Sequence, residues 1–189
     1  MRVRPTVGLL LAAGSATRFG GDKLLALLPD GTPIGVAAAR HLVAALDSVV
    51  AVVRPDDHRL ADALAGEGTR VTTCPAASDG MGASLAWGVR ASPTARSWLV
   101  VLADMPWIEP RTIARVGRAL DDGAAIAAPT WRNARGHPVG FATSFYAALS
   151  ALSGDEGAKT ILARQRVELI PVDDPGVLRD VDRPEDLTS

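Results

Sequence analysis

Two cations stand close together near the start of this chain, Arg18 and Lys23, in the stretch Leu11-Ala12-Ala13-Gly14-Ser15-Ala16-Thr17-Arg18-Phe19-Gly20-Gly21-Asp22-Lys23. Small residues let backbone N–H groups approach an anion closely, and such a concavity suits phosphate oxygens. An arginine there grips a phosphate as a fork, and a lysine acts as a mobile point charge. Two common nucleotide patterns are absent. A P-loop needs a glycine, four residues and then Gly-Lys-Ser/Thr, but the fifth residue after Gly14 is Phe19. A dinucleotide fingerprint needs a second glycine where Ala16 stands. The residues alone leave two readings open, a tight exit from a buried strand and an anion cradle. Glycines coinciding with both cations, before any helix starts, favour the cradle.

Other chemistry-bearing residues also cluster where apolar runs end. Asp104 follows the run Trp98–Leu102 and either caps a turn or binds a hard cation such as magnesium, which one or two carboxylates usually hold. The C-terminal stretch Arg179-Asp180-Val181-Asp182-Arg183-Pro184-Glu185-Asp186 offers further carboxylates. Asp182 either caps a short helix starting at Pro184 or serves as a second ligand, while Glu185 and Asp186 suit a solvated first turn. Asp79-Gly80-Met81-Gly82-Ala83-Ser84 leads from a loop into a helix, and Arg135-Gly136-His137-Pro138 combines charge with a permissive glycine and a stiff proline. Asp155 and Glu156, before Gly157-Ala158-Lys159, read as ordinary caps or as part of an anion site. Cys74 is the only cysteine, which excludes an internal disulfide and a multi-cysteine metal site, and it reads as a small buried filler.

These residues need a scaffold that brings strand ends together. Apolar runs at Val7–Leu11, Ser48–Val53, Arg70–Thr73 and Trp98–Leu102 predict strands. Three of them are apolar throughout rather than alternating, as in strands covered on both faces. Helical stretches at Pro33–Leu46, Asp57–Ala65, Met81–Ala91 and Pro110–Leu120 separate and follow them, with Asp57 a candidate N-cap. Later strands are predicted at Ala124–Ala128, Val139–Ala142 and Val167–Ile170, and later helices near Ser144–Ala151 and Gly157–Arg164. The alternation predicts an α/β protein of three layers, α/β/α, with a mostly parallel mixed sheet whose second half carries an antiparallel strand. In such sheets ligands sit beyond the carboxyl ends of the strands.

The bulk numbers agree. The 189 residues suit a single domain, 1–189, and 48% hydrophobic content with only 4% aromatic implies a core of alanine, valine and leucine. A net charge of -1 provides no basic field for nucleic acid or a membrane surface. No apolar run approaches the roughly 20 residues of a membrane span. The run Val7–Ala13 leads straight into the glycine-rich loop instead of a signal cleavage site, so a cytoplasmic protein is expected.

The stretch LAAGSATRFGGDK, together with LADMP, GMGASL, RGHP, GDEGAK and DVDRPEDL, resembles the MobA-like nucleotidyltransferases, closest to the molybdenum cofactor cytidylyltransferases. The resemblance implies a Rossmann-like nucleotidyltransferase fold and transfer of CMP from CTP to the terminal phosphate of molybdopterin, with release of pyrophosphate. It implies that Leu11, Ala12, Ala13, Gly14, Gly80 and Ser84 contact the nucleotide, with Arg18 and Lys23 on its phosphates. Asp104 and Asp182 would hold Mg2+, and Arg135, His137 and Lys159 would face the acceptor. Lys159 stands where that branch carries arginine. A transient contact with a molybdoenzyme or its chaperone is a further expectation. Three alternatives remain: a guanylyltransferase using GTP, an NADPH-dependent oxidoreductase on a MobA-like scaffold, and a nucleotide-binding partner without turnover.

Overall fold

The computed structural model describes residues 5–14, 19 and 22–188. Four parallel strands, β1 (Thr6–Leu11), β2 (Val49–Val53), β3 (Arg70–Thr73) and β4 (Ser97–Leu102), lie side by side in the order β3-β2-β1-β4. Beyond β4 the sheet turns mixed. β5 (Ile126–Trp131) forms a hairpin with β6 (Ala134–Arg135), and β7 (Val139–Ala142) runs antiparallel to both β4 and β5. β8 (Glu168–Pro171) pairs in parallel with β5. Because Ala127 pairs with both β7 and β8, those two strands occupy opposite edges of β5.

Each strand sends alternate side chains to opposite faces. Leu10, Ala51, Val53, Leu99 and Val101 join one apolar cluster with α1 (Ile34–Ala45), α2 (His58–Gly66) and α4 (Pro110–Asp121). Leu9, Leu11, Val50, Val52, Trp98 and Val100 join the other, with α3 (Met81–Arg90), α5 (Tyr146–Ser150) and α6 (Lys159–Arg164). The result is the expected three-layer arrangement. Asp57 caps α2 by accepting from the Leu60 N–H at 3.3 Å. Among the described residues, no helix is long and apolar enough to cross a membrane.

Several element boundaries depart from the sequence reading, each for a local reason. β5 begins at Ile126 rather than Ala124, because the Ala124 N–H still bonds the Ala119 carbonyl at the end of α4. α6 begins at Lys159 rather than Gly157, since Gly157 has φ +55, outside the helical region. The hairpin strand β6 was not expected. It forms around Arg132 and Asn133, both at positive φ, as a two-residue hairpin turn requires. Pro33 stands one residue before α1 rather than inside its first turn.

The strand order reverses direction between β1 and β4: β2 and β3 follow on one side of β1, and the later strands lie beyond β4. That is the switch point at which the carboxyl ends of a doubly wound sheet open a crevice.

Candidate active site

A cleft of about 670 Å³ opens at those strand ends. Leu11, Ala13 and Gly14 bring the end of β1 to it, and Asp104 follows β4. The β1–β4 ladder extends one step further, with Ala103 N–H on the Leu11 carbonyl at 3.1 Å, before a turn closes from Met105 N–H to the Leu102 carbonyl. Asp104 therefore projects from a fixed turn. Its carboxylate does not cap that turn: Oδ2 accepts from Lys23 Nζ at 2.8 Å. Oδ1 is buried and has no hydrogen-bond partner among the described residues.

Lys23 sits at the start of a single 3-10 turn, Lys23–Leu25, closed by the Leu25 N–H on the Asp22 carbonyl. Its side chain is only 12% exposed, and its ammonium also lies 3.9 Å from Asp182 Oδ1. Asp182 arrives from the far end of the chain. Val181, fully buried among Leu28, Ile34 and Ala37, anchors that segment, and its N–H bonds the Asp104 carbonyl at 2.9 Å. Asp186 closes the last turn by accepting from the N–H groups of Asp182 and Arg183 at 2.8 and 2.7 Å. These bonds hold the Asp186 carboxyl below its ordinary value. The turn is thus capped from Asp186.

Asp180 joins the same group. Asp104, Asp180 and Asp182 each offer a carboxylate oxygen within 4.8 Å of the others. Burial first, then the neighbouring Asp104 and Asp182 charges, push the Asp180 carboxyl up from its ordinary value. A hard divalent cation matches this donor set, because it takes oxygen ligands and would satisfy the orphaned Asp104 Oδ1.

The opposite wall is the N-terminal end of α3. Gly80 has φ +114, and a Cβ there would overlap the Asp155 carboxylate and come within 2.7 Å of the Gly154 carbonyl. The Gly82 N–H donates to the Gly154 carbonyl at 2.7 Å. Gly80, Met81, Ser84 and Asp155 consequently share one face of the cleft. Ser84 is buried, and its hydroxyl donates back to the Gly80 carbonyl at 3.4 Å.

The cleft therefore gathers Leu11, Ala13, Gly14, Lys23, Gly80, Ser84, Asp104 and Asp182 from the sequence-predicted set. Ala12 does not line it; its side chain turns into the cluster beneath α1. Arg18 lies outside the described residues. Arg135, His137 and Lys159 are not among the lining residues. His137 is held by its N–H on the Val177 carbonyl, and burial lowers its imidazole pKa, which favours the neutral ring. Sequence reasoning passed over Arg54 and Asp56, which line the cleft just past β2, and it did not single out Asp180, which the fold brings beside Asp104 and Asp182. The rule that singled out Asp104, polar residues at the carboxyl ends of strands, would also have found Arg54.

A mixed sheet with this switch point, and an acid-and-lysine group at its strand ends, defines a doubly wound α/β protein with a ligand crevice. Residues 8–169 match the MobA-like NTP transferase domain, and the chain belongs to that family. It is 40% identical over 124 residues to the molybdenum cofactor guanylyltransferase of Burkholderia vietnamiensis (strain G4 / LMG 22486), covering 63% of this chain and 58% of that protein. It is 26% identical over 199 residues to the purine catabolism protein PucB of Bacillus subtilis (strain 168), covering 98% and 96% of the two chains. Among solved structures it superimposes on Rv0371c from Mycobacterium tuberculosis H37Rv with a TM-score of 0.85 at 27% identity, over 100% of this chain and 97% of that one. The manganese complex of Rv0371c gives a TM-score of 0.79 at 26% identity, over 97% and 96%.

Proposed function

We propose that this protein transfers CMP from CTP to the terminal phosphate of molybdopterin and releases pyrophosphate. The observation that carries the reading is the Lys23 ammonium set between Asp104 and Asp182 on the floor of a cleft at the β1–β4 switch point. A second reading, with GTP as donor, is favoured by the 40% identity to a guanylyltransferase. CTP is favoured by the Leu-Ala-Ala-Gly strand end and the Arg-Gly-His-Pro segment.

The chemistry asks little proton transfer of the protein. A phosphate monoester is largely ionised at neutral pH, its second pKa being about 6, so the acceptor needs no general base. The barrier is repulsion between two anions and charge build-up during an in-line displacement, which positioning and cations relieve. Lys23 is poised to leave Asp104 for the phosphates, and Arg18 is proposed to join it. Gly14 and Gly80 let the backbone approach the nucleotide, with Ser84 beside its base or ribose. Asp104, Asp182 and also Asp180 would hold Mg2+, which when bound neutralises phosphate oxygens and orients them. Arg135, His137 and Lys159 are proposed on the acceptor side. A cytoplasmic site of action, with a passing contact to a molybdoenzyme or its chaperone, completes the proposal.

Asp104→Asn tests it. The variant is expected to fold, since it keeps the shape of a side chain that caps nothing, and to lose magnesium-dependent pyrophosphate release by at least about a hundredfold. Turnover unchanged from wild type would refute the metal assignment.

A further inference from the structure

We propose that Arg54 reads the nucleotide base and restricts this protein to bases that present two adjacent hydrogen-bond acceptors, namely cytosine and guanine; the proposal rests on the nucleotide reading above. Arg54 is the first residue past β2 and lines the same cleft as Lys23 and Asp104. Its backbone is fixed twice over. Pro55 restricts the preceding residue to extended conformations, and the Asp57 N–H closes a turn onto the Arg54 carbonyl at 3.3 Å.

The side chain is under-used by the fold. It is 37% exposed, so its terminal nitrogens reach the open cleft, while its Nε is buried and has no hydrogen-bond partner among the described residues. Its terminal nitrogen lies 3.9 Å from Asp57 Oδ2, beyond hydrogen-bond reach, while the other oxygen of that carboxylate is committed to the cap of α2. A buried donor without a partner is costly to leave unmade. A ligand in the cleft would satisfy it.

Position says which part of the ligand. In the order β3-β2-β1-β4, Arg54 is two strands away from the acid group after β4, roughly 10 Å at ordinary strand spacing. A nucleotide whose phosphates meet Lys23 carries its base toward β2. Apolar Pro55, Pro75 and Ala77 line that end, as flat base faces require. Asp56 beside Arg54 makes it a poor place for a triphosphate but a good acceptor for exocyclic amines.

A guanidinium fork needs two acceptors side by side. Guanine offers O6 and N7, and cytosine offers O2 and N3. Adenine sets its amine beside N1 and N7 and leaves N3 without a second acceptor next to it, and uracil places an N–H between its two carbonyls, so neither fills the fork.

The test is equilibrium binding of CTP, GTP, UTP, ATP and inorganic tripolyphosphate, with magnesium and without acceptor, to wild type, Arg54→Met and Arg54→Lys. Wild type is expected to bind CTP and GTP roughly tenfold to a hundredfold more tightly than UTP and ATP. Both variants should lose that preference while holding tripolyphosphate within about twofold of wild type, which also reports an intact fold. The inference is overturned if tripolyphosphate affinity falls with the rest, if the preference survives in Arg54→Met, or if Arg54→Lys keeps it. Wild type binding no nucleoside triphosphate at all would instead overturn the nucleotide reading, a result separable from the other three.

Discussion

Replacing Lys23 with methionine removes the ammonium that touches Asp104 and leaves three carboxylates crowded within 4.8 Å. At 2.8 Å, the gross attraction between Lys23 and Asp104 is about 6 kcal/mol at an effective dielectric of about 20. The two side chains are 12% and 24% exposed, so desolvation cancels much of this gain. A coupling of about 1–3 kcal/mol should remain in a double-mutant cycle with Asp104→Asn. Lys23→Met alone should be the most damaging of the three variants, and Asp104→Asn should partly rescue it by removing one of the repelling charges. For a chain of this size each kcal/mol shifts Tm by about 2–4 °C, so the effect is readable by thermal melting at neutral pH. Magnesium should raise the Tm of Lys23→Met by more than that of wild type, because no resident ammonium has to be displaced from the carboxylates. Additivity of the two substitutions within about 0.5 kcal/mol would refute the reasoning. Equal magnesium stabilisation of wild type and Lys23→Met would refute it too.

Gly80→Ala should fail on two counts, a backbone at φ +114 and a clash with Gly154 and Asp155. Strain of about 1–3 kcal/mol is expected in urea unfolding, with weaker nucleotide binding; a variant unchanged in both measurements would contradict the close packing of α3 on residues 153–155. Cys74 is fully buried, and burial pushes its thiol above its ordinary value of 9.0. A thiol-reactive disulfide reagent at mildly alkaline pH should therefore label the unfolded chain but not the native one. The raised value makes the thiol's contribution to stability complete below the unfolded pKa and lost as pH rises through the folded one. The stability gap between wild type and Cys74→Ala should accordingly narrow only above about pH 9, and a gap that narrows toward neutral pH would reverse the assignment.

The sheet was legible because strands buried on both faces announce themselves as unbroken apolar runs, and β1, β2 and β4 do so in Val7–Leu11, Val49–Val53 and Trp98–Leu102. Asp104 was legible for the complementary reason: a carboxylate just after such a run has no structural use unless it caps or binds. What escaped the sequence was contact over distance. Lys23 and Asp104 are 81 positions apart, and only the fold sets their charges in contact. Asp180 stands two positions from Asp182 in the sequence, and only the fold, with Val181 buried between them, brings both carboxylates to Asp104. Arg54 also stands just past an apolar run, but its buried Nε becomes visible only when the cleft is built. Gly157 and the Ala124 N–H shifted their elements through backbone geometry that side-chain periodicity does not carry.

The central claim is that this cleft activates a nucleoside triphosphate toward a phosphate acceptor. It is met most directly by measuring pyrophosphate release from CTP, GTP, UTP and ATP in the presence of magnesium, with and without molybdopterin. The account predicts release that requires both metal and molybdopterin, is largest with CTP, and is negligible with UTP and ATP. Release favouring GTP would move the donor to the second reading. No pyrophosphate from any of the four would contradict the account.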